Sequence, residues 1–98
     1  MSDVIKVGIG DLKYAGGAET IQTAGLGSCV GVIIYDEKLK LCGLAHIMLP
    51  DSSMSRGAIL QRGKYADTAI SDVATYLLDK GSLKFRLKAK IAGGAQMF

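Results

Sequence analysis

Val30-Gly31-Val32-Ile33-Ile34-Tyr35, then Asp36-Glu37-Lys38-Leu39, then Leu41-Cys42-Gly43-Leu44-Ala45-His46-Ile47-Met48-Leu49: two apolar runs flank a short charged connection. Aliphatic and β-branched residues at this density suit buried strands. The spacing predicts a hairpin of strands 30–35 and 41–49. Gly31 and Gly43 inside the runs predict bulges or a close approach by another group. If Glu37 and Lys38 form a two-residue turn, Asp36 pairs with Leu39 and Cys29 falls directly opposite His46. Cross-strand partners of that kind have Cβ atoms about 4.5–5.5 Å apart. A three-residue turn would instead put the two side chains on opposite faces.

Upstream of the hairpin stands Thr23-Ala24-Gly25-Leu26-Gly27-Ser28-Cys29, a small-residue loop that ends in a thiol. Gly25 and Gly27 lack a Cβ and accept positive φ, so the backbone there can pass close to another group. Cys29 sits where this loop enters a strand, and His46 is the only histidine of the chain. A cysteine with one histidine on a fixed scaffold is a candidate nucleophile with its base. On spacing alone the plainer reading comes first: a free cysteine is most often a small buried hydrophobe. The hairpin register is what brings the two residues together.

Bulk properties narrow the class. At 98 residues the chain holds one small domain, spanning 1–98. Apolar residues make up 49% and charged residues 21%, which suits a folded core rather than disorder. A net charge of +3 and the lack of tryptophan give no platform for stacking nucleic-acid bases. No apolar run approaches the roughly 20 residues that span a bilayer, and the N-terminal residues do not read as a signal peptide. Two cysteines without a framework pattern predict a reducing, cytoplasmic location. No Cys/His cluster has metal-ligand spacing, so neither a metal nor another cofactor is expected. Gly25 and Gly27 do not extend into a dinucleotide fingerprint, because Val30 stands where the next glycine is needed.

The remaining segments fall into place around the hairpin. Residues 4–9 read as a first strand, 11–19 as a loop, and 20–23 as a short strand leading into the cysteine loop. Residues 51–57 are small and polar, a loop by composition that can rim a site at His46. Residues 65–80 read as a helix: Ala66, Ala69, Ile70, Val73, Leu77 and Leu78 recur at helical spacing, and Gly81 stops it. Residues 84–91 alternate, with Phe85, Leu87, Ala89 and Ile91 against Lys84, Arg86, Lys88 and Lys90, and read as a strand. Gly93-Gly94 ends it and brings the backbone close to a neighbour. Met97-Phe98 close the chain.

Such a site needs more than two groups. The thiol acts as thiolate, the imidazole takes and returns its proton, and an oxyanion needs preorganised donors. The backbone N–H groups of Ser28 and Cys29, supported by Gly27, are the candidate donors. The imidazole also needs an orienting acceptor. Asp51 in the following loop and Asp67 beyond it are the acids within reach of such a role, and the residues alone do not choose between them.

Thr-x-Gly-Leu-Gly-Ser-Cys at 23–29, Ala-His-Ile-Met-Leu-Pro-Asp at 45–51, Gly-Lys-Tyr-Ala-Asp at 63–67 and Lys-Ile-Ala-Gly-Gly-Ala-Gln-Met-Phe at 90–98 stand in a specific order. Together they resemble the CheD family, the chemoreceptor glutamine deamidases of bacterial and archaeal chemotaxis. The resemblance implies an α/β fold, a mostly antiparallel β-sheet sandwich with packed helices, similar to deamidase toxins of the cytotoxic necrotizing factor type. It implies a hydrolase with Cys29 as nucleophile, His46 as base and Thr23 as the third member. The implied substrate is glutamine on the cytoplasmic helices of methyl-accepting chemoreceptors, and the implied partner is the CheC phosphatase. A module that only docks receptors or CheC, without catalysis, is the alternative. Family members continue beyond the Gly-Gly-Ala-x-Met-Phe motif, so the resemblance also implies a domain truncated at its C-terminal side.

Overall fold

The computed structural model describes residues 4–57 and 60–95. The chain runs β1 (Val4–Lys6), β2 (Leu12–Gly16), β3 (Thr20–Gln22), β4 (Val30–Asp36), β5 (Leu41–Ile47), α1 (Ala66–Asp79) and β6 (Lys88–Gly93). Short 3-10 turns stand at Ser52–Met54, Arg62–Lys64 and Lys84–Arg86. The main sheet has the order β2-β5-β4-β6, and every neighbouring pair is antiparallel. β1 and β3 form a separate parallel pair. The fold is therefore α/β with a mostly antiparallel sheet and, among the described residues, one α-helix.

The helix stripe and one face of the hairpin make the core. Val32 and Ile34 of β4 and Ala45 and Ile47 of β5 pack with Ala69, Val73 and Leu77 of α1. Gly43 lies under the helix, where an added Cβ would come within 2.6 Å of Val73 Cγ1. The close neighbours at this glycine are the side chains of Val73 and Tyr14 rather than another backbone. Tyr14 of β2 stacks on Tyr76 of α1 with ring centroids 3.7 Å apart, which carries the contact to the sheet edge. The helix prediction is met to within a residue at each end. Ile70 departs from it: this residue is 43% exposed and borders a cleft with Val30, Ile47 and Ile91 instead of joining the core.

Three sequence readings are corrected. Residues 11–19 are not a plain loop, because β2 pairs along its whole length with β5. Leu12 and Tyr14 alternate toward the helix face and give the segment a buried side. Residues 84–91 do not form one strand. The 3-10 turn at Lys84–Arg86 aims the Arg86 guanidinium at Asp36, with Nε 3.0 Å from Oδ2, and β6 starts only at Lys88. The hairpin register also differs. Asp36 pairs with Leu41, not Leu39, and the connection has four residues, 37–40. The Asp36 carboxylate accepts hydrogen bonds from the Lys38 and Leu39 N–H groups at 2.9 and 3.2 Å, and Lys40 takes φ 54°. That side-chain turn is more stable here than a tight two-residue hairpin of Glu and Lys. The first strand is shorter than expected, Val4–Lys6, while the strand at 20–23 forms as Thr20–Gln22.

Asp36 also ties the far end of the molecule together. It is 1% exposed, accepts from Ser82 Oγ and pairs with Arg86. The Ser82 hydrogen bond foremost, with the N–H donors and Arg86, outweighs its burial and holds its carboxyl at a pKa of about 2.

Candidate functional site

The shift in register moves the pairing by two residues, so the side-chain faces are unchanged. Gly31, not Cys29, stands opposite His46. Cys29 immediately precedes β4, two residues before Gly31. It thus lies on the diagonal from His46 rather than straight across. His46 points away from the helix, since Ala45 and Ile47 on either side of it face the core.

His46 is held from several directions. Its N–H donates to the Asp11 carbonyl and its own carbonyl accepts from Gly10 N–H, both at 3.0 Å. Its side chain is 0% exposed. Gly31 beside it has no side chain, and a Cβ there would touch Thr23 Cγ2 and Leu26 Cδ2 at 3.5 and 3.4 Å. The loop after β3 therefore lies directly over the sheet. That closeness lets Thr23 Oγ1 come within 2.8 Å of His46 Nδ1.

The hydrogen on the threonine hydroxyl decides the tautomer. Thr23 Oγ1 also lies 2.8 Å from the Val7 carbonyl, which can only accept. The single hydroxyl hydrogen goes to Val7, so Oγ1 accepts from an Nδ1–H of His46. The other ring nitrogen, Nε2, then carries a lone pair. It is buried and has no hydrogen-bond partner among the described residues. A buried imidazole lone pair without a partner costs free energy, and such a group calls for an explanation.

The two aspartates weighed for the orienting role are engaged elsewhere. Asp51 accepts from Ser53 N–H at 2.9 Å and caps the 3-10 turn that follows. Asp67 accepts from Ser52 N–H and Oγ at 3.0 and 2.7 Å, and the Ser52 hydroxyl foremost holds its carboxyl below the usual range. The loop at 51–57 is thereby pinned to the first turn of α1.

The cysteine loop closes on itself. Cys29 N–H donates to the Leu26 carbonyl at 2.6 Å. Of the two candidate oxyanion donors, this one is occupied, while Ser28 N–H makes no hydrogen bond among the described residues. The Gly27 carbonyl accepts from Ala95 N–H at 3.0 Å, and the Cys29 carbonyl accepts from Gly94 N–H at 2.8 Å. Gly93-Gly94 thus approaches the cysteine loop, while Gln96, Met97 and Phe98 of the same motif lie outside the described residues. Both cysteines are free. Burial foremost raises the pKa of the Cys42 thiol, which lies beside Ala15 and Leu41 at the opposite end of the sheet.

Thr23 and His46 are in contact, then, while Cys29 stands two residues along the chain from Gly31, the strand partner of His46, and makes no described hydrogen bond to the ring. The grip of residues 93–95 on the loop was signalled only by two adjacent glycines.

An α/β fold with a mostly antiparallel sheet, in which the hydroxyl of Thr23 holds the imidazole of His46 under the loop that leads to Cys29, is the class defined here. The family model described as CheD chemotactic sensory transduction matches residues 48–98. The chemoreceptor glutamine deamidase CheD of Bacillus subtilis (strain 168) is 55% identical over 95 residues, which is 97% of this chain and 57% of that protein. The protein of the same name from Halalkalibacterium halodurans is 53% identical over 98 residues, all of this chain and 60% of that protein. The chain belongs to the CheD family. It spans about three fifths of the length of the curated relatives it matches.

Proposed function

We propose that this chain carries the active site of a chemoreceptor glutamine deamidase, with Cys29 as nucleophile, His46 as base and Thr23 as the residue that orients the ring. The relatives' names give the activity. The observation that carries the residue roles is the hydrogen-bond chain from His46 Nδ1 through Thr23 Oγ1 to the Val7 carbonyl. It leaves the Nε2 lone pair as the proton acceptor, on the sheet face toward which the Cys29 loop turns.

In this reading His46 Nε2 takes the Cys29 proton, and the thiolate attacks Cδ of a substrate glutamine. The oxyanion that forms is met by Ser28 N–H, which makes no hydrogen bond among the described residues. His46 returns the proton to the leaving nitrogen, ammonia departs and a thioester remains. Water, activated by the same Nε2, attacks the thioester. The products are glutamate and the regenerated thiol. The Nε2–thiol hydrogen bond, absent here, forms as substrate settles; such contacts commonly tighten only in the complex. The substrate is the glutamine-bearing cytoplasmic helices of methyl-accepting chemoreceptors, and CheC is the partner, both met in the cytoplasm. No described helix is long and apolar enough to cross a membrane. A sandwich similar to that of the cytotoxic necrotizing factor type toxins belongs to the same proposal.

The test is incubation with a purified receptor cytoplasmic fragment, read by mass spectrometry as conversion of glutamine to glutamate and by ammonia release. Both signals are expected, and both vanish in Cys29→Ala. A protein that binds the fragment with no conversion would instead be the docking module.

A further inference from the structure

We propose that Gly93, Gly94 and Ala95 form a backbone clamp that positions the Cys29 loop and aims the Ser28 N–H toward the reacting carbonyl. This inference rests on the reading of Cys29 as nucleophile.

The clamp is a continuation of the sheet. The β4–β6 ladder runs from the Tyr35–Lys88 pair to the Val30–Gly93 pair. Beyond it the same two segments stay joined, by Gly94 N–H to the Cys29 carbonyl and Ala95 N–H to the Gly27 carbonyl. Gly93 and Gly94 turn the chain with φ of 93° and 75°, values that glycine alone takes freely. A Cβ on Gly93 would run into the Cys29 carbonyl oxygen and lie 3.1 Å from Leu26 Cβ. The backbones touch where the thiol's own residue sits, and no side chain fits between them.

Peptide geometry gives the clamp a chemical consequence. Gly27 C=O and Ser28 N–H belong to one planar trans peptide, so they point in opposite directions. When Ala95 N–H holds the Gly27 oxygen, it fixes the opposite edge, which is the Ser28 N–H that makes no hydrogen bond among the described residues. Gly94 N–H similarly fixes the Cys29 carbonyl, while the Cys29 N–H is tied to Leu26. The nucleophile's backbone is thereby anchored on both sides by backbone groups of the clamp. Gly93, Gly94 and Ala95 are positioning residues.

Ala95→Pro removes the donor to Gly27, whereas Ala95→Ser keeps it. Gly93→Ala drives a Cβ into Cys29. Each variant is measured in the full-length protein for deamidation kcat and KM, for the rate of Cys29 alkylation by iodoacetamide, and for melting temperature. Ala95→Pro is expected to lower kcat by about tenfold to a hundredfold, as for loss of one oxyanion donor, with KM and the alkylation rate nearly unchanged. Ala95→Ser restores kcat. Gly93→Ala is expected to change the Cys29 alkylation rate several-fold while Cys42 alkylation stays as it was. Parental kcat in Ala95→Pro, or equal losses in the proline and serine variants, would overturn the clamp. So would unchanged Cys29 alkylation in Gly93→Ala. Alkylation requires no deamidase activity, so it tests the clamp even if the proposed reaction fails.

Discussion

Thr23 Oγ1 lies 2.8 Å from His46 Nδ1 and gives its own hydrogen to the Val7 carbonyl. One hydroxyl thus fixes both the ring plane and the tautomer of the only histidine. Thr23→Val keeps the shape and removes the hydroxyl. It is expected to lower deamidation kcat about tenfold or more, by the logic of residues that orient a catalytic base, and to cost about 1–2 kcal/mol of stability through the unpaired Val7 carbonyl and Nδ1. Thr23→Ser should recover most of both. Kinetics and denaturant melts of the two variants check this; a serine variant as impaired as the valine one would refute the hydroxyl's role.

The sheet–helix contact makes a prediction of opposite chemistry at two facing residues. Val73→Asp places an unpaired charge among Val32, Ala45 and Leu77 and should destabilise by at least about 3 kcal/mol. Gly43→Ala, whose Cβ would crowd Val73 and Tyr14, should cost about 1–3 kcal/mol. Urea titration measures both. A Gly43→Ala midpoint equal to the parent's would mean that the helix rides higher on the sheet.

Asp36 sets an acid limit to stability. Its carboxyl ordinarily titrates near 3.8 and in the fold is held at about 2. A lowered pKa means stability that is fully present above the unfolded value and is lost as pH falls through the folded one. The melting temperature should therefore drop between about pH 4 and pH 2. Asp36→Asn should start lower at neutral pH and fall less steeply over that window. Parallel curves for the two proteins would mean that Asp36 does not set this acid limit.

The two cysteines should differ toward iodoacetamide near neutral pH. Burial raises the pKa of the Cys42 thiol and thins its thiolate, while Cys29 stands at the loop edge. Cys29 is expected to be alkylated first, and Cys42→Ala to keep activity. Peptide mapping with Cys42 labelled faster would reverse the assignment.

Much of this was legible in the sequence, and the misses share a physical cause. The helix, the hairpin strands and the side of the sheet that carries His46 follow from periodicity, which depends only on local geometry. The register was missed by two because it hangs on the Asp36 carboxylate folding the 37–40 turn, and that carboxylate is held by Ser82 and Arg86 from far along the chain. The same distant pairing breaks the alternating run at 84–91, where local pattern alone predicts a strand. Residues 11–19 hid a strand because Gly16-Gly17 suggested a turn, while Leu12 and Tyr14 alone marked its buried face. At the site, nothing local distinguishes Thr23 from Asp51 or Asp67. The family resemblance pointed to the threonine, and its nearness to Nδ1 arises only once the loop crosses Gly31.

Cys29 and His46 are proposed to act as one nucleophile–base unit on glutamine. The most direct measurement is the deamidation rate of a receptor cytoplasmic fragment by Cys29→Ala, His46→Ala and the double variant, in the full-length protein and beside the affinity for the fragment. Groups that act as a unit lose their effect together. Each single variant should therefore lose nearly all activity, the double variant should be scarcely worse than either, and affinity should stay close to the parent's. Deamidation that persists in Cys29→Ala would rule out Cys29 as the nucleophile.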